Sequence, residues 1–451
     1  MLPRWCGWFS TAALLWGGIL WPGGPVAAEP ISAKNASSAT PGPVQRVPEV
    51  EQASALLRKG DAEGALKLLK EAVKKHPELP PPNLMLAKWF AEMNQMTLVR
   101  SAVEQAILEG PDDPEAYVLL ADMDLRARMA TEAGLLYAKA LELAKAAKEA
   151  SPRIAAIGKR ALAGLASVAE GRQDWKVAQQ HLEALLAEGG QDVAALQQLG
   201  RVLFRLKQPD QALERFRQAA KLDPNAASPE AALALLYQQN QDSQSAAKWM
   251  VKAIEAAPRD ARVRLVAAQW EYEIGRYDDA EKQAQAAVQL DPELLNARLV
   301  RGMVALARKD FKTAEESFER AHLLAPTNIL PINGLALALI ESRDEAKRRI
   351  ALEYAQLNAR QFPEQPEALS TLGWVLYRLG RLDEAEANLR KAVSNSTGRL
   401  SGETLYYYAK LLADRGQKED AKRLLQAPAM KGVGRPALEK EVQALLEELS
   451  K

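Results

Sequence analysis

The chain has 451 residues, of which 48% are hydrophobic and 26% charged, as expected for a folded protein rather than a disordered one. Its 59 basic and 58 acidic residues leave a formal charge of +1, which excludes a strongly basic nucleic-acid binder and a polyacidic chain. A single cysteine, Cys6, excludes a disulfide framework, and only three histidines (His76, His181 and His322) argue against a metal site. We therefore predict no cofactor and no metal.

The first 28 residues have the parts of a secretory signal peptide. Arg4 is their only charged residue, an apolar run follows at 6–20, and small residues lead up to a cleavage position after Ala28. The apolar run is shorter than the ~20 residues that a transmembrane helix needs. We expect an exported protein of the bacterial periplasm or cell envelope. An uncleaved segment that anchors the chain in the membrane is the alternative.

Residues 29–45 are rich in proline, serine and alanine and contain few large apolar side chains. This composition is typical of a flexible or extended linker. We therefore expect the folded part of the chain to begin at about residue 46.

From there on, the sequence repeats itself, mostly with a period of 34 residues. Each unit carries a small residue within a helical pattern, at Ala53, Ala87, Ala121, Ala166, Gly200, Ala234, Ala268, Gly302, Ala336, Gly373 and Ala409. In most units a second small residue follows twelve positions later, at Ala65, Ala133, Ala178, Ala212, Ala246, Ala280, Ala314, Ala385 and Ala421. Small side chains allow two helices to approach closely where they cross. The pattern thus predicts two antiparallel helices per unit.

Proline closes many units, and glycine marks several inner turns, as at Gly60, Gly275 and Gly380. No useful strand alternation appears. We predict an all-α solenoid of about eleven helix-turn-helix repeats.

Two irregularities shape the predicted domains. Eleven extra residues between Ala140 and Lys159 extend the second helix of repeat three, and predict two arrays at 46–158 and 159–435. The tail, 436–451, starts with proline and carries an apolar helical stripe, which suits a helix that caps the last repeat. The stripe consists of Leu438, Val442, Leu445, Leu446 and Leu449.

The period, the small residues and the terminal prolines resemble the tetratricopeptide repeat, most closely at residues 212–216 and 372–385. The resemblance runs from residue 46 to 435. It implies a right-handed superhelix whose first helices line a concave groove that binds a peptide or partner protein. The lysine and asparagine of the family's chaperone-tail clamp are missing from their positions, so a chaperone-cofactor role has no support.

No phosphate-binding loop, dinucleotide fingerprint, nucleophile elbow or zinc-protease motif is present. Acidic residues lie beside lysine and arginine on helix faces that we expect to be exposed to solvent, which does not indicate a catalytic acid/base pair. Because the repeats use nearly every residue, we predict that the protein is not an enzyme.

The family's geometry implies two groups of groove residues. The first is a basic and aromatic patch in repeat five, and the second is an apolar and aromatic strip from repeat seven onward. Aromatic and arginine side chains are enriched in binding hot spots. The patch consists of Arg201, Phe204 and Arg205, and the strip of Tyr272, Met303, Leu306, Leu337, Trp374, Tyr377, Arg378, Tyr406 and Lys410.

We therefore expect a protein-binding scaffold with no role in binding nucleic acid. The last two units are similar to exported tetratricopeptide proteins of exopolysaccharide or outer-membrane assembly, which implies such a pathway. Direct binding of a glycan or polymer, with sugar rings stacked on aromatic side chains, is one alternative, and self-assembly is another.

Overall fold

The computed structural model describes residues 47–147, 151–189, 191–396, 401–427, 430 and 436–450. The predicted signal peptide, the linker up to residue 45 and Cys6 lie outside these ranges. Within them, the regular structure comprises 23 α-helices and no β-strand. The chain divides into two compact units between Pro229 and Glu230, here called the N-terminal and C-terminal units.

Consecutive helices form eleven pairs, and each pair is one repeat. This confirms the predicted solenoid of eleven helix-turn-helix units. Repeats one to five consist of α1 (Pro48–Arg58), α2 (Ala62–Lys75), α3 (Pro82–Glu92), α4 (Met96–Glu109), α5 (Pro114–Arg126), α6 (Ala130–Ala146), α7 (Pro152–Gly171), α8 (Trp175–Ala187), α9 (Val193–Arg205) and α10 (Pro209–Leu222).

The C-terminal unit holds the other six repeats and one further helix. Its helices are α11 (Pro229–Gln239), α12 (Ser243–Ala256), α13 (Ala261–Glu273), α14 (Tyr277–Leu290), α15 (Leu295–Ala307), α16 (Phe311–Leu324), α17 (Ile329–Ile340), α18 (Glu345–Gln361), α19 (Pro366–Arg378), α20 (Leu382–Asn395), α21 (Gly402–Asp414), α22 (Lys418–Leu425) and α23 (Pro436–Leu449).

The two helices of a repeat meet at the small residues that define the period. All of these residues are buried, and the alanines among them have at most 1% of their surface exposed. A large side chain from the second helix fills the space that a missing Cβ leaves. In repeat eight, a Cβ added to Gly302 or to Gly334 of the next repeat would come within 3.0 Å of the Phe318 ring. Phe318 therefore joins its own repeat to the following one.

The turn between the two helices contains a residue in the left-handed region in ten of the eleven repeats. Four of these residues are glycines, including the predicted Gly60, Gly275 and Gly380. The other six have φ between 59° and 64°, and they are Asn94, Arg128, Gln173, Lys207, Gln241 and Lys309. For a residue with a Cβ atom, this backbone conformation costs roughly 1–2 kcal/mol of conformational free energy. The turn is thus set by the packing of the helices and not only by its own sequence.

An aspartate often starts the second helix by accepting a hydrogen bond from a backbone N–H one turn ahead. The Asp61 side chain accepts from Gly64 N at 2.8 Å, and Asp242 accepts from Ser245 N at 3.0 Å. Such a cap contributes about 1 kcal/mol. It fixes where the second helix begins, and so keeps the repeats in register.

The insertion in repeat three does not divide the structure at 158/159 as predicted. The extra residues lengthen α6 to 17 residues and α7 to 20, and α7 already begins at Pro152. Ile157 and Ala161 of α7 share a buried cluster with Tyr137 and Ala140 of α6. Because apolar packing continues through the insertion, the division falls instead at 229/230.

We predict that Gly164→Ala destabilises the protein by about 1–3 kcal/mol, the usual cost of overpacking. A Cβ on Gly164 would lie under 3.0 Å from the ring of Tyr137, which is buried and whose hydroxyl donates to Asp122 Oδ1 at 2.5 Å. Gly171 ends the same helix and has no atom within 4 Å of an added Cβ. Gly171→Ala is therefore the control, expected to be neutral or stabilising by up to about 1 kcal/mol. Equal urea midpoints for the two variants would contradict this packing.

Candidate functional site

Charged side chains connect the first helices of repeats two to four in the N-terminal unit. Glu115 on α5 lies 2.5 Å from Lys88 Nζ on α3 and 2.7 Å from Arg153 on α7. Burial alone would raise the pKa of the Glu115 carboxyl, but the two cations outweigh it and lower that pKa. Asp122 similarly pairs with Arg160. The acidic side chains of this surface are thus paired with basic side chains of the neighbouring repeats.

The predicted patch in repeat five is only partly accessible. Phe204 is 5% exposed, so it belongs to the core and is not available to a partner, contrary to the prediction. Arg205 is exposed and its guanidinium lies 6.0 Å from the Trp175 ring centroid. Burial lowers the pKa of Arg201, and the neighbouring Glu170 carboxylate opposes this shift. The patch therefore consists of two arginines and a buried phenylalanine, with no accessible aromatic ring of its own.

The strip predicted in the C-terminal unit divides into two parts. Its first part packs on the core of repeats seven to nine: Tyr272 is 8% exposed and lies edge-on to Tyr277, with ring centroids 5.6 Å apart. Met303 and Leu306 are half-buried against the same core. The prediction that Tyr272 is an accessible anchor is therefore wrong, because its ring fills the space beside α14. Leu337 on α17 is half-buried.

The second part is an aromatic cluster formed by Trp374 and Tyr377 of α19 with Tyr406 and Tyr407 of α21. Trp374 stacks on Tyr407 with ring centroids 4.3 Å apart and an angle of 20°. Tyr377 lies 5.1 Å and Tyr406 6.4 Å from Trp374. All four side chains are half-buried. Residues on two successive first helices thus form one continuous aromatic surface.

Charged groups border the aromatic cluster. The Arg378 guanidinium lies 5.7 Å from the Trp374 ring centroid and pairs with Glu341 of the preceding repeat. The Tyr377 hydroxyl donates to Asp414 Oδ2 at 2.5 Å, and Lys410 Nζ lies 3.1 Å from the other oxygen of Asp414. Burial, followed by the Asp414 carboxylate, raises the pKa of Tyr377. The phenol therefore stays protonated and acts as a donor.

The structure places the predicted residues Trp374, Tyr377, Arg378, Tyr406 and Lys410 close to one another, and it adds residues that were not predicted. The largest omission is Tyr407, which lies outside the positions that the family's geometry assigns to the groove. The run of three tyrosines at 406–408 was the available signal. Burial raises the pKa of Tyr407, with Glu441 and Glu341 adding to the shift.

The C-terminal helix α23 packs on the same core. Leu445 and Leu449 are buried in a cluster with Leu411 and Leu412 of α21. Val442 and Leu446 pack against this cluster, as the aromatic rings do. The amphipathic helix predicted at 436–451 therefore lies against repeat eleven and next to the aromatic cluster.

One carboxyl of repeat seven is buried, and one of its oxygens lacks a hydrogen bond within the described part of the chain. Glu271 on α13 is 6% exposed, and its Oε2 atom finds no hydrogen-bond partner among the residues that the structure describes. Burial raises the pKa of Glu271 to about 7, Asp279 adds to the shift, and Arg276 and Lys282 oppose it.

No group of three or more histidine, cysteine, aspartate or glutamate side chains is placed to hold a metal ion within the described ranges. His322 lies edge-on to Tyr354, with ring centroids 6.5 Å apart, and His76 lies 3.3 Å from a Glu78 oxygen. Over the same residues, no helix has both the length and the apolar character that crossing a bilayer requires.

Comparison with known families gives one consistent match. Models described as tetratricopeptide repeat match five segments, which fall in both units and together cover just over half of the chain. The segments are 56–123, 193–226, 231–294, 265–328 and 366–396.

Relatives match over parts of the chain. A TPR repeat-containing protein of Pseudomonas aeruginosa is 31% identical over 122 residues, which are 26% of this chain and 20% of that protein. The type IV pilus assembly protein PilF of the same organism is 32% identical over 141 residues, 30% of this chain and 56% of PilF. A STIP1 homolog of Dictyostelium discoideum is 32% identical over 110 residues, 24% of this chain and 19% of that protein. The chain thus spans between about a fifth and just over half of these relatives.

Two solved structures show similar helical arrays. Yeast Tom70 is 16% identical, with a TM-score of 0.38 over 89% of this chain and 96% of that one. The Pseudomonas aeruginosa PilF structure is 25% identical, with a TM-score of 0.37 over 49% of this chain and 97% of that one.

We predict that Glu271→Gln stabilises the protein at pH 8 by about 2 kcal/mol and has little effect at pH 4.5. Because the carboxyl pKa is raised in the folded state, the folded chain binds more protons than the unfolded chain between pH 4.5 and about 7. Its contribution to stability therefore falls as pH rises through that window. Urea unfolding of the two chains at both pH values measures the difference. Glu319→Gln, at an exposed position on α16, is the control and should change stability little at either pH.

Proposed function

We propose that this chain, which belongs to the tetratricopeptide repeat family, is a non-enzymatic scaffold that holds a peptide or partner protein on the first helices of its C-terminal unit. Tandem helical pairs of this kind are suited to protein–protein interaction, because each repeat adds a short length of side-chain surface to one extended face. Function then depends on the side chains that line the face and not on a reactive group.

The observation that carries the proposal is the aromatic cluster of Trp374, Tyr377, Tyr406 and Tyr407. Four half-buried rings adjoining an arginine are the composition of a binding hot spot. A partner side chain buried against such rings contributes about 1.5–3 kcal/mol. The hydroxyls and the charged border supply the polar contacts that fix the partner's orientation.

The same border supports a protein rather than a polymer as the partner. A glycan site pairs aromatic rings with several unoccupied hydrogen-bonding groups. Here Glu341 is paired with Arg378, and Asp414 accepts from Tyr377 and lies beside Lys410. These groups are already used within the protein, which supports a partner that contributes mainly apolar contacts.

We further propose that the protein acts outside the cytoplasm, in assembly of an envelope structure such as an exopolysaccharide system or the outer membrane. The signal-peptide pattern in the first 28 residues supports export. The partial similarity to a type IV pilus assembly protein supports an assembly role at the cell surface.

We predict that Trp374→Ala combined with Tyr377→Ala lowers retention of the partner at least tenfold, because both rings lose their contact with it. The measurement is a pull-down from the native envelope with the full chain as bait, followed by identification of the retained proteins. Trp249→Ala is the matched control, because Trp249 is half-buried on the second helix α12, where its ring faces Lys252.

Circular dichroism must show that the double variant remains folded. Retention equal to that of the wild-type chain would refute the assignment of this surface. Recovery of a polysaccharide with no protein would favour the glycan alternative.

A further inference from the structure

The helix α23 is amphipathic, and its apolar side faces the protein. Leu438, Leu445 and Leu449 are buried, at spacings of seven and four residues. The exposed positions between them are mostly acidic or polar. Such a leucine stripe on a helix is the arrangement by which peptide helices bind in grooves.

The N-terminal end of α23 lies on repeat seven. The Pro436 ring approaches the turn at Gly275 so closely that a Cβ on that glycine would lie 2.7 Å from it. The Ala437 backbone N–H donates to the Tyr277 hydroxyl oxygen at 3.0 Å. This N–H is one of the four at a helix start that have no partner within the helix. Repeat seven thus supplies the cap of a helix 160 residues further along the chain.

The C-terminal end of α23 lies on repeat eleven. Leu445 and Leu449 join the buried cluster that contains Leu425 of α22. The Glu448 carboxylate lies 3.9 Å from Lys410 Nζ, one of the predicted groove residues. A helix that only capped the last repeat would make these contacts with repeat eleven and would not need the contacts with repeat seven.

The middle of α23 spans the repeats between these ends. Partial burial raises the pKa of Glu441, Lys309 of repeat eight opposes this shift, and Glu341 of repeat nine adds to it. Glu441 also raises the pKa of both Tyr406 and Tyr407, after the larger effect of burial. The helix therefore extends from repeat seven to repeat eleven beside the aromatic cluster.

We propose that α23 is a built-in ligand of the groove, and that the partner displaces it with an amphipathic helix of its own that has a leucine stripe flanked by carboxylates. This inference rests on the proposed function and specifies the partner's chemistry. The chemistry is that of α23: leucines for the apolar cluster, and acidic groups for Lys309 and Lys410.

The contacts of α23 suit an exchangeable ligand. Between α23 and the other described helices, the polar contacts are the hydrogen bond from Ala437 and a long ion pair in which Glu448 is well exposed, and exposed pairs contribute little. A 14-residue helix is also marginally stable by itself in water. A partner helix with the same anchors can therefore compete. It must overcome the high effective concentration of a ligand on the same chain.

The test uses a fluorescein-labelled synthetic peptide with the sequence of residues 436–449, titrated into full-length chains and followed by anisotropy. We expect weak binding to the wild-type chain. Leu438→Glu combined with Val442→Glu should bind the peptide at least tenfold more tightly, because a groove occupied in nine of ten molecules raises the apparent Kd about tenfold. Adding Trp374→Ala to this variant should abolish the gain.

Gln443→Glu combined with Ala444→Glu is the matched control, since it adds the same charge to the same helix at exposed positions. It should bind the peptide as the wild-type chain does. If circular dichroism shows that the groove-facing variant is unfolded, Ala437→Pro replaces it. That variant removes the backbone N–H that donates to Tyr277 from the tethered helix only, while the peptide keeps its own, and should still bind the peptide more tightly than wild type.

Equal peptide affinity in the wild-type, groove-facing and control chains would overturn the inference. So would a gain that survives Trp374→Ala. If the peptide binds no variant while capture of the native partner still requires Trp374 and Tyr377, the scaffold function stands and α23 is only a cap.

Discussion

The whole structure depends on the close approach of two helices within each repeat. That approach requires small residues where the helices cross: alanine or glycine is buried at the first crossing point in all eleven repeats, and alanine twelve positions later in nine of them. Large side chains such as Phe318 then fill the adjoining space and join one repeat to the next. Because the contacts recur at nearly equal spacing, the first helices within each unit stack side by side and their remaining side chains form a face of that unit. The proposed binding surface is thus a consequence of packing.

The two units use this face differently. In the N-terminal unit, charges on neighbouring helices neutralise one another, as Lys88, Glu115 and Arg153 do. Such pairs orient helices but leave little unsatisfied surface for a partner. In the C-terminal unit, aromatic rings occupy the corresponding helices, and they retain apolar area that a partner or α23 can cover. The same type of repeat therefore carries ion pairs on its first helices in the N-terminal unit and half-buried aromatic rings in the C-terminal unit.

The sequence was sufficient where local patterns determine structure. It predicted the eleven repeats, the small crossing residues and the neighbourhood of Trp374, Tyr377 and Tyr406, because period and spacing encode them. It failed where the outcome depends on packing between distant parts. The burial of Phe204 and Tyr272 follows from neighbouring helices, and the reach of α23 to Tyr277 follows from the stacking of five repeats. The insertion after repeat three lengthened two helices without dividing the core, because its apolar residues continued the existing cluster.

The central claim is that the first helices of the C-terminal unit hold a protein partner. A photo-crosslinking amino acid placed at Leu337, half-buried on the first helix α17, tests it most directly when compared with one at Leu323, which is 68% exposed on the second helix α16. After irradiation of intact cells, the account predicts a discrete protein adduct from position 337 that is absent from position 323. Adducts of equal yield from both positions, or only from position 323, would contradict it.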